Sequence, residues 1–297
     1  MITRRTLIRA GMAAPLIFVF AIILLAWGNG AQAVSGSRLL LLSGGHAAWT
    51  PLNLPSLVAW WDAQDTAHIA LSSSNVTSWT DKKGGIVASQ NTGANQPTWS
   101  ATARNGKPGI TFNGGTQFLT FTPTGLPSGS SVGMMSVAAY SNLTNPGNQT
   151  FVFAYGASGT TSGQSMLSLQ NTNGAVALST SGGSPVGTTS WNAMDRFQIA
   201  TVSGTTGTQN VDGNSSETGV VSSPNIQLAT GSMGYWAYYG NKWVGTIQQI
   251  LIGNTVLTTC QRQKLEGWES WYDGKAGSNL PSTHPYKSGP PTTGGAC

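Results

Sequence analysis

Charge is what this sequence has least of. Only 8% of its 297 residues are Asp, Glu, Lys or Arg, and its glutamates number three: Glu217, Glu266 and Glu269. The formal net charge of +5 reflects 14 basic and 9 acidic residues. Three of the basic ones, Arg4, Arg5 and Arg9, sit in the first nine residues, which leaves 11 against 9 for the rest of the chain. A nearly neutral domain without a Lys/Arg stripe has no footprint for phosphate neutralisation, so no nucleic acid is expected as a partner, and Lys82-Lys83 reads as a solvated turn. Glycoside hydrolysis needs two carboxyl groups flanking one bond. Glu266 and Glu269 instead fall on the polar face of a helical stretch, where solvation or an ion pair with Arg262 accounts for them. Histidine is as scarce: His46, His68 and His284 are scattered without the spacing of a zinc site. The two cysteines, Cys260 and Cys297, cannot define a disulfide framework. A bridge between them and a buried thiol at Cys260 beside a loose Cys297 remain equally open.

What the chain does hold is glycine, 39 residues of it, with 39% hydrophobic and 9% aromatic residues. Such a composition favours turns and neutral strands over surface helices, and the length is ample for one large all-β domain. Residues 1–33 have a basic start, an uncharged apolar stretch over 10–27 and a small-residue site at Ala31-Gln32-Ala33, the parts of a secretory signal. The arginine pair also fits a twin-arginine leader. An uncleaved membrane anchor through residues 10–27 is the alternative, because the stretch is long enough to span a bilayer. Residues 34–51 are expected to be a linker with a first strand over 38–42, residues 52–287 one domain, and residues 288–297 a flexible tail.

Strand signals recur along the domain, bounded by Gly, Asn, Ser or Pro. Leu57 to Asp65 and Val76 to Asp81 carry core tryptophans. Asn105-Gly106 and Asn113-Gly114-Gly115 flank the strand around Ile110, and a hairpin is expected between that strand and Gln117 to Phe121. Asn171 to Gly174 and Asp212-Gly213 should turn two more hairpins. The apolar run Val244 to Leu257 reads as a strand buried on both faces. Thr258 with Gln261 forms a capping box that starts a helix running to Asp273. Cys260, Leu265, Trp268, Trp271 and Tyr272 share one side of that helix and should dock on the sheets, whereas Arg262, Glu266, Glu269 and Asp273 gather on the other.

The order of these signals resembles a family. Trp60-Trp61-Asp62-Ala63, Val76-x-x-Trp79-x-Asp81, Asn105-Gly106-x-Pro108-x-x-x-Phe112-x-Gly114, Val211-Asp212-Gly213, Gly245-x-Ile247, Leu265-Glu266-Gly267 and Leu280-Pro281-x-x-His284-Pro285-Tyr286 are similar to the laminin-G-like branch of the concanavalin A-like lectin/glucanase superfamily. The version it resembles is common in bacterial secreted proteins and in phage or prophage structural genes. The resemblance implies an all-β, two-sheet antiparallel jelly-roll sandwich with one short C-terminal helix. Where many relatives carry an acidic residue two positions after that isoleucine, this chain has Gln249, so a role needing a carboxylate there is not expected.

The expected function is non-catalytic binding of a polysaccharide or glycoconjugate by an exported or surface-displayed module. The alternative is a phage structural or adhesion component without glycan specificity; a glycoside hydrolase ranks behind both. The candidate platform is Trp236, Tyr238, Tyr239, Asn241 and Trp243, since flat rings with adjacent amides suit sugar faces and hydroxyls. Alternate rings filling the sandwich would be the structural explanation of the same residues. Asp62 and Asp65 at a strand end are the weak candidates for Ca²⁺, with Asp hydrogen-bonding its own turn as the competing role. No other cofactor is expected.

Overall fold

The computed structural model describes residues 47–130, 133–144, 146–157, 164–180, 186–237 and 240–295. The leader, its possible anchor over 10–27 and the strand expected over 38–42 lie outside the described residues. Among the described residues, no helix is long and apolar enough to cross a membrane.

In chain order the strands are β1 (Leu57–Asp62), β2 (Ile69–Ser72), β3 (Asn75–Thr80), β4 (Val87–Ser89), β5 (Thr98–Arg104), β6 (Lys107–Asn113), β7 (Leu119–Phe121) and β8 (Met134–Ser141). They continue as β9 (Thr150–Gly156), β10 (Ser165–Gln170), β11 (Val176–Thr180), β12 (Asp195–Ser203), β13 (Thr206–Val211), β14 (Glu217–Val220), β15 (Thr230–Met233) and β16 (Val244–Gly253), followed by the helix α1 (Thr259–Tyr272). Every ladder between these strands is antiparallel.

β16 is the organising strand. One of its edges pairs with β8 along its length, while the other is shared: Val244–Ile247 lie against β6 and Gln249–Gly253 against β1. Beyond β8 the layer continues through β12, β13 and β14. The facing layer runs β11, β10, β9, β15, β7, β4, β3. Trp61, Trp79, Phe112, Phe153, Val137 and Ile250 meet between the layers in one buried cluster. The architecture is therefore the expected all-β sandwich.

Strand alternation decides what lies outside that core. In β16, Ile250 and Ile252 join the inter-sheet cluster while Leu251 points the other way; in β1, Ala59 and Trp61 face inward and Trp60 outward. The outward set, with Phe197 and Ile199 of β12, forms a second core against Leu265 and Trp268 of α1. Trp60 and Trp268 meet edge to face at 5.4 Å, a favourable aromatic geometry. A layer buried on both faces has no wet side, which is why β16 reads as a continuous apolar run.

The helix starts as its capping box dictates: Gln261 N donates to Thr258 Oγ1, and Thr258 N donates to Gln261 Oε1. Its polar face, however, is not solvated. Glu266, Glu269 and Asp273 are all fully buried. The strap Leu280 to Tyr286 crosses the far side of α1, where His284 Nε2 lies 3.0 Å from Glu266 Oε2 and Trp271 Nε1 donates to Tyr286 O. Covered from two sides, the helix is buried over residues 265–270, while its first turn stays partly exposed.

Two other expectations are corrected. Asn113-Gly114-Gly115 is not a hairpin turn, because β6 pairs with β5 and β16 whereas β7 pairs with β4 and β15. The segment is a crossover, held by Asn113 Oδ1 accepting from the amides of Gly115 and Thr116. The tail is also not free from residue 288 onward: Trp49 N donates to Pro291 O and Thr293 N to Ala47 O. Asn105-Gly106, Asn171 to Gly174 and Asp212-Gly213 do turn between paired strands. Cys260 is disulfide-bonded, and the one other cysteine in the sequence, Cys297, lies outside the described residues.

Candidate functional site

The aromatic loop leaves β15 at Gly234 and enters β16 after Trp243. Gly234 has φ of 75°, and a Cβ there would come within 2.3 Å of the Phe112 ring, so the chain can turn this closely only at glycine. Trp243 N donates to Gly234 O at 2.9 Å and Gly240 N to Trp236 O at 3.1 Å, closing the loop on itself. Two of the five expected platform residues serve the fold instead. Trp236 is 1% exposed and covers Phe151, Ala154, Leu167, Leu169 and Ala177 on the outer face of β9, β10 and β11. Trp243 is 0% exposed and packs on Trp191 at 4.8 Å inside the sandwich. Their rings are therefore unavailable to a ligand. Asn241 is half-buried, and Tyr238 and Tyr239 lie outside the described residues.

The aromatic surface in this region is a pair that the sequence reading did not combine. The rings of Tyr235 and Phe118, both half-buried, are 5.1 Å apart at 40°. Lys242 Nζ lies 5.0 Å over the Tyr235 ring, a cation–π contact that fixes its orientation. A signal for Phe118 was present: Leu119 and Phe121 are buried, so alternation turns Phe118 and Thr120 outward.

β4, β7 and β15 carry a shallow groove of about 340 Å³ on their outer face, lined by Val87, Ser89, Thr120, Thr122, Ala229 and Thr230 among others. Thr120 pairs with Ser89 of β4, and Thr230 of β15 lines the groove beside them, so hydroxyls run across β4, β7 and β15. Phe118 and Thr122 are separated by roughly 13 Å of extended chain. A ring pair thus stands at one end of a neutral, hydroxyl-lined surface.

Asp62 and Asp65 do come together, but around a side chain. Lys82 Nζ lies 3.2 Å from Asp62 Oδ2 and 3.0 Å from Asp65 Oδ2, and 4.0 Å from the Trp60 ring centroid. Lys82 is therefore not the solvated turn residue expected, and its ammonium stands where a Ca²⁺ would. Burial raises the pKa of Asp62 against the lowering influence of Lys82. For Asp65 desolvation is outweighed by the hydrogen bond and charge of Lys82, and its pKa falls.

The remaining carboxylates are held just as closely. Asp81 accepts from the amides of Trp60, Lys83, Gly84 and Ile86, which ties the glycine turn to β1. Asp195 binds Arg104 and Asn105; Asp212 binds Arg196 and Asn279. Glu217 accepts from Thr188, Thr189 and Gln209, which together outweigh its desolvation and lower its pKa. Glu266 sits between Arg262 and His284, Glu269 accepts from Ser136, and Asp273 accepts from Gln64 and Gln249. Among the described residues no group of three or more His, Cys, Asp or Glu could hold a metal ion.

Comparison with known proteins gives likeness of fold. No family model matches the sequence, and no curated protein matches it. Domain 4 of AbnA, a GH43 extracellular arabinanase from Geobacillus stearothermophilus solved with arabinotriose, matches at 13% identity and a TM-score of 0.50, over 68% of this chain and 94% of that domain. The Trypanosoma rangeli sialidase in complex with sialic acid matches at 13% identity and a TM-score of 0.47, over 73% of this chain. This chain spans about a third of that sialidase, 34% of its length. The Ruminococcus gnavus IT-sialidase CBM40 bound to α2,3-sialyllactose matches at 10% identity and a TM-score of 0.41, over 51% of this chain and 91% of that one.

Proposed function

We propose that this chain is a non-catalytic carbohydrate-binding module of laminin-G-like type, exported by its N-terminal leader, that holds a neutral polysaccharide on the outer face of β4, β7 and β15. The observation that carries this reading is the Phe118–Tyr235 ring pair set at the end of the hydroxyl-lined groove. Ring faces take the C–H faces of a sugar, and threonine and serine hydroxyls take its hydroxyls. Tyr238 and Tyr239, three and four residues after Tyr235 in sequence, belong to the same proposal. A whole domain of like fold solved with arabinotriose supports the carbohydrate class.

A binding rather than hydrolytic role is supported by the carboxylates. None lines the groove, and all nine have partners inside the fold that set their position. A glycosidase would need two of them facing one bond across a cleft.

The test is retention of the full-length chain on a panel of immobilised neutral polysaccharides. At least one polymer should retain it, and Phe118→Ala combined with Tyr235→Ala should abolish retention while the melting temperature stays within a few degrees. Tyr238→Ala with Tyr239→Ala should weaken it. Retention unchanged by both double variants would remove this surface as the site, and no retention on any polymer would favour a structural or adhesion role.

A further inference from the structure

A second groove, on the opposite layer, has different chemistry. It has a volume of about 210 Å³ and is bounded by the outer faces of β12 and β13, the turn after β16 and the first turn of α1. That volume is below the range of pockets for drug-sized ligands and suits one sugar ring. Ile199 and Leu257 give it an apolar floor, with Val256, 49% exposed, as a wall. Thr201 and Thr208 pair their hydroxyls within it, and Asn210 Nδ2 donates to Ser216 Oγ at 3.1 Å.

Arg262 supplies the charge. Its Nη1 is engaged by Glu266 Oε1, and Glu266 is anchored from behind by His284. The Nε and Nη2 edge of the guanidinium has no partner among the described residues, although the side chain is only 22% exposed. Thr259, the first residue of α1, also lines the groove, so the positive end of a 14-residue helix adds to the same field. No lining residue is acidic. A fixed guanidinium with one free two-nitrogen edge is suited to accept a carboxylate in bidentate fashion.

We propose that this groove is a binding site for a carboxylated sugar, a hexuronate unit, with Arg262 Nε and Nη2 on the carboxylate, the ring over Ile199 and Leu257, and the Thr208 and Ser216 groups on the ring hydroxyls. Inorganic anions would leave the apolar floor and the hydroxyls unused. The site is independent of the Phe118–Tyr235 surface, which carries no guanidinium.

Saturation-transfer NMR on the full-length chain tests this with glucuronate, glucose and inorganic phosphate as probes. Glucuronate should give a saturable signal that glucose does not give at the same concentration and that excess phosphate does not displace. Arg262→Gln should weaken binding by about tenfold or more, the value of a charged hydrogen-bonding partner. Because Arg262 also supports buried Glu266, Thr208→Val is the second variant; it leaves that ion pair intact and should weaken glucuronate several-fold. Phe118→Ala with Tyr235→Ala should leave glucuronate binding unchanged, so the two sites fail or stand separately. Equal response to glucose, displacement by phosphate, or binding insensitive to both Arg262→Gln and Thr208→Val would each overturn the proposal.

Discussion

Gln249 Nε2 donates to Asp273 Oδ1 across 2.7 Å, joining the central strand β16 to the end of α1. The same amide accepts from Trp60 Nε1 at 3.3 Å, so one neutral side chain ties β1, β16 and the helix together. An acidic residue at position 249, as the resemblance implies for many relatives, would face another carboxylate here. The glutamine is the form that this interface can hold, because Asp273 is fully buried and no cation among the described residues lies within ion-pair distance of it.

Asp273 makes the stability of the helix docking depend on pH. Burial raises its pKa from 3.8 to about 7, opposed by Lys275 and the Gln249 hydrogen bond. Burial likewise raises Asp62 and Glu269. A carboxyl whose pKa is higher in the folded state binds more protons folded than unfolded, so its contribution is fully present below pH 3.8 and is lost as pH rises through 7. Asp65 and Glu217 are lowered and act with the opposite sign, but their contribution is complete above the ordinary carboxylate range. Thermal unfolding midpoints should therefore fall between about pH 5 and pH 7.5. Asp273→Asn keeps an acceptor for Gln249 and removes the ionisation, so it should flatten that fall. An unchanged slope would show that Asp273 does not titrate in this window.

Lys82 should behave as the internal cation of the Asp62–Asp65 corner. Lys82→Met retains the stem over Trp60 and removes the charge, leaving Asp62, 1% exposed, without its ion-pair partner. The expected cost is about 3 kcal/mol in chemical denaturation, the lower end for breaking a buried pair. Tyr272 Oη and Gln64 N still donate to Asp62, which keeps the loss near that lower bound. Adding Ca²⁺ or EDTA to the unsubstituted chain should leave the midpoint unchanged; a rise with Ca²⁺ would return Asp62 and Asp65 to the metal-site reading.

These residues show which parts of the molecule are legible in the sequence. Local chemistry was: the Thr258–Gln261 capping box, the Asn105-Gly106 turn and the apolar run of β16 each follow from side-chain and backbone preferences within a few residues. Long-range pairing was not. Lys82 looks solvated until β1 brings Asp62 beside it, and Glu266 and Glu269 occupy a polar helix face until the strap and Ser136 of β8 cover it. The aromatic loop shows the same limit. Trp236, Asn241 and Trp243 are close in sequence, but Trp236 covers one sheet face and Trp243 enters the sandwich. Phe118, just before β7 and more than a hundred residues earlier, is turned outward by local alternation, but no local pattern joins it to Tyr235.

Gly267 gives the strap a test of its own. It sits inside α1, where glycine is about 1 kcal/mol worse than alanine on propensity alone. A Cβ at this position would lie 2.5 Å from Tyr286 Cβ and 2.7 Å from its Cγ, so the bare backbone is the surface on which the strap packs. Gly267→Ala should therefore destabilise the domain despite the gain in helix propensity, by roughly 1–2 kcal/mol net of that gain, as overpacking does. Moving Tyr286 would also disturb the acceptor of Trp271 Nε1 and the neighbouring His284–Glu266 contact. Gly267→Ala combined with Tyr286→Gly should recover part of the loss, because the clashing Cβ disappears together with the ring. A single variant more stable than the parent would mean that the strap does not press on the helix in solution.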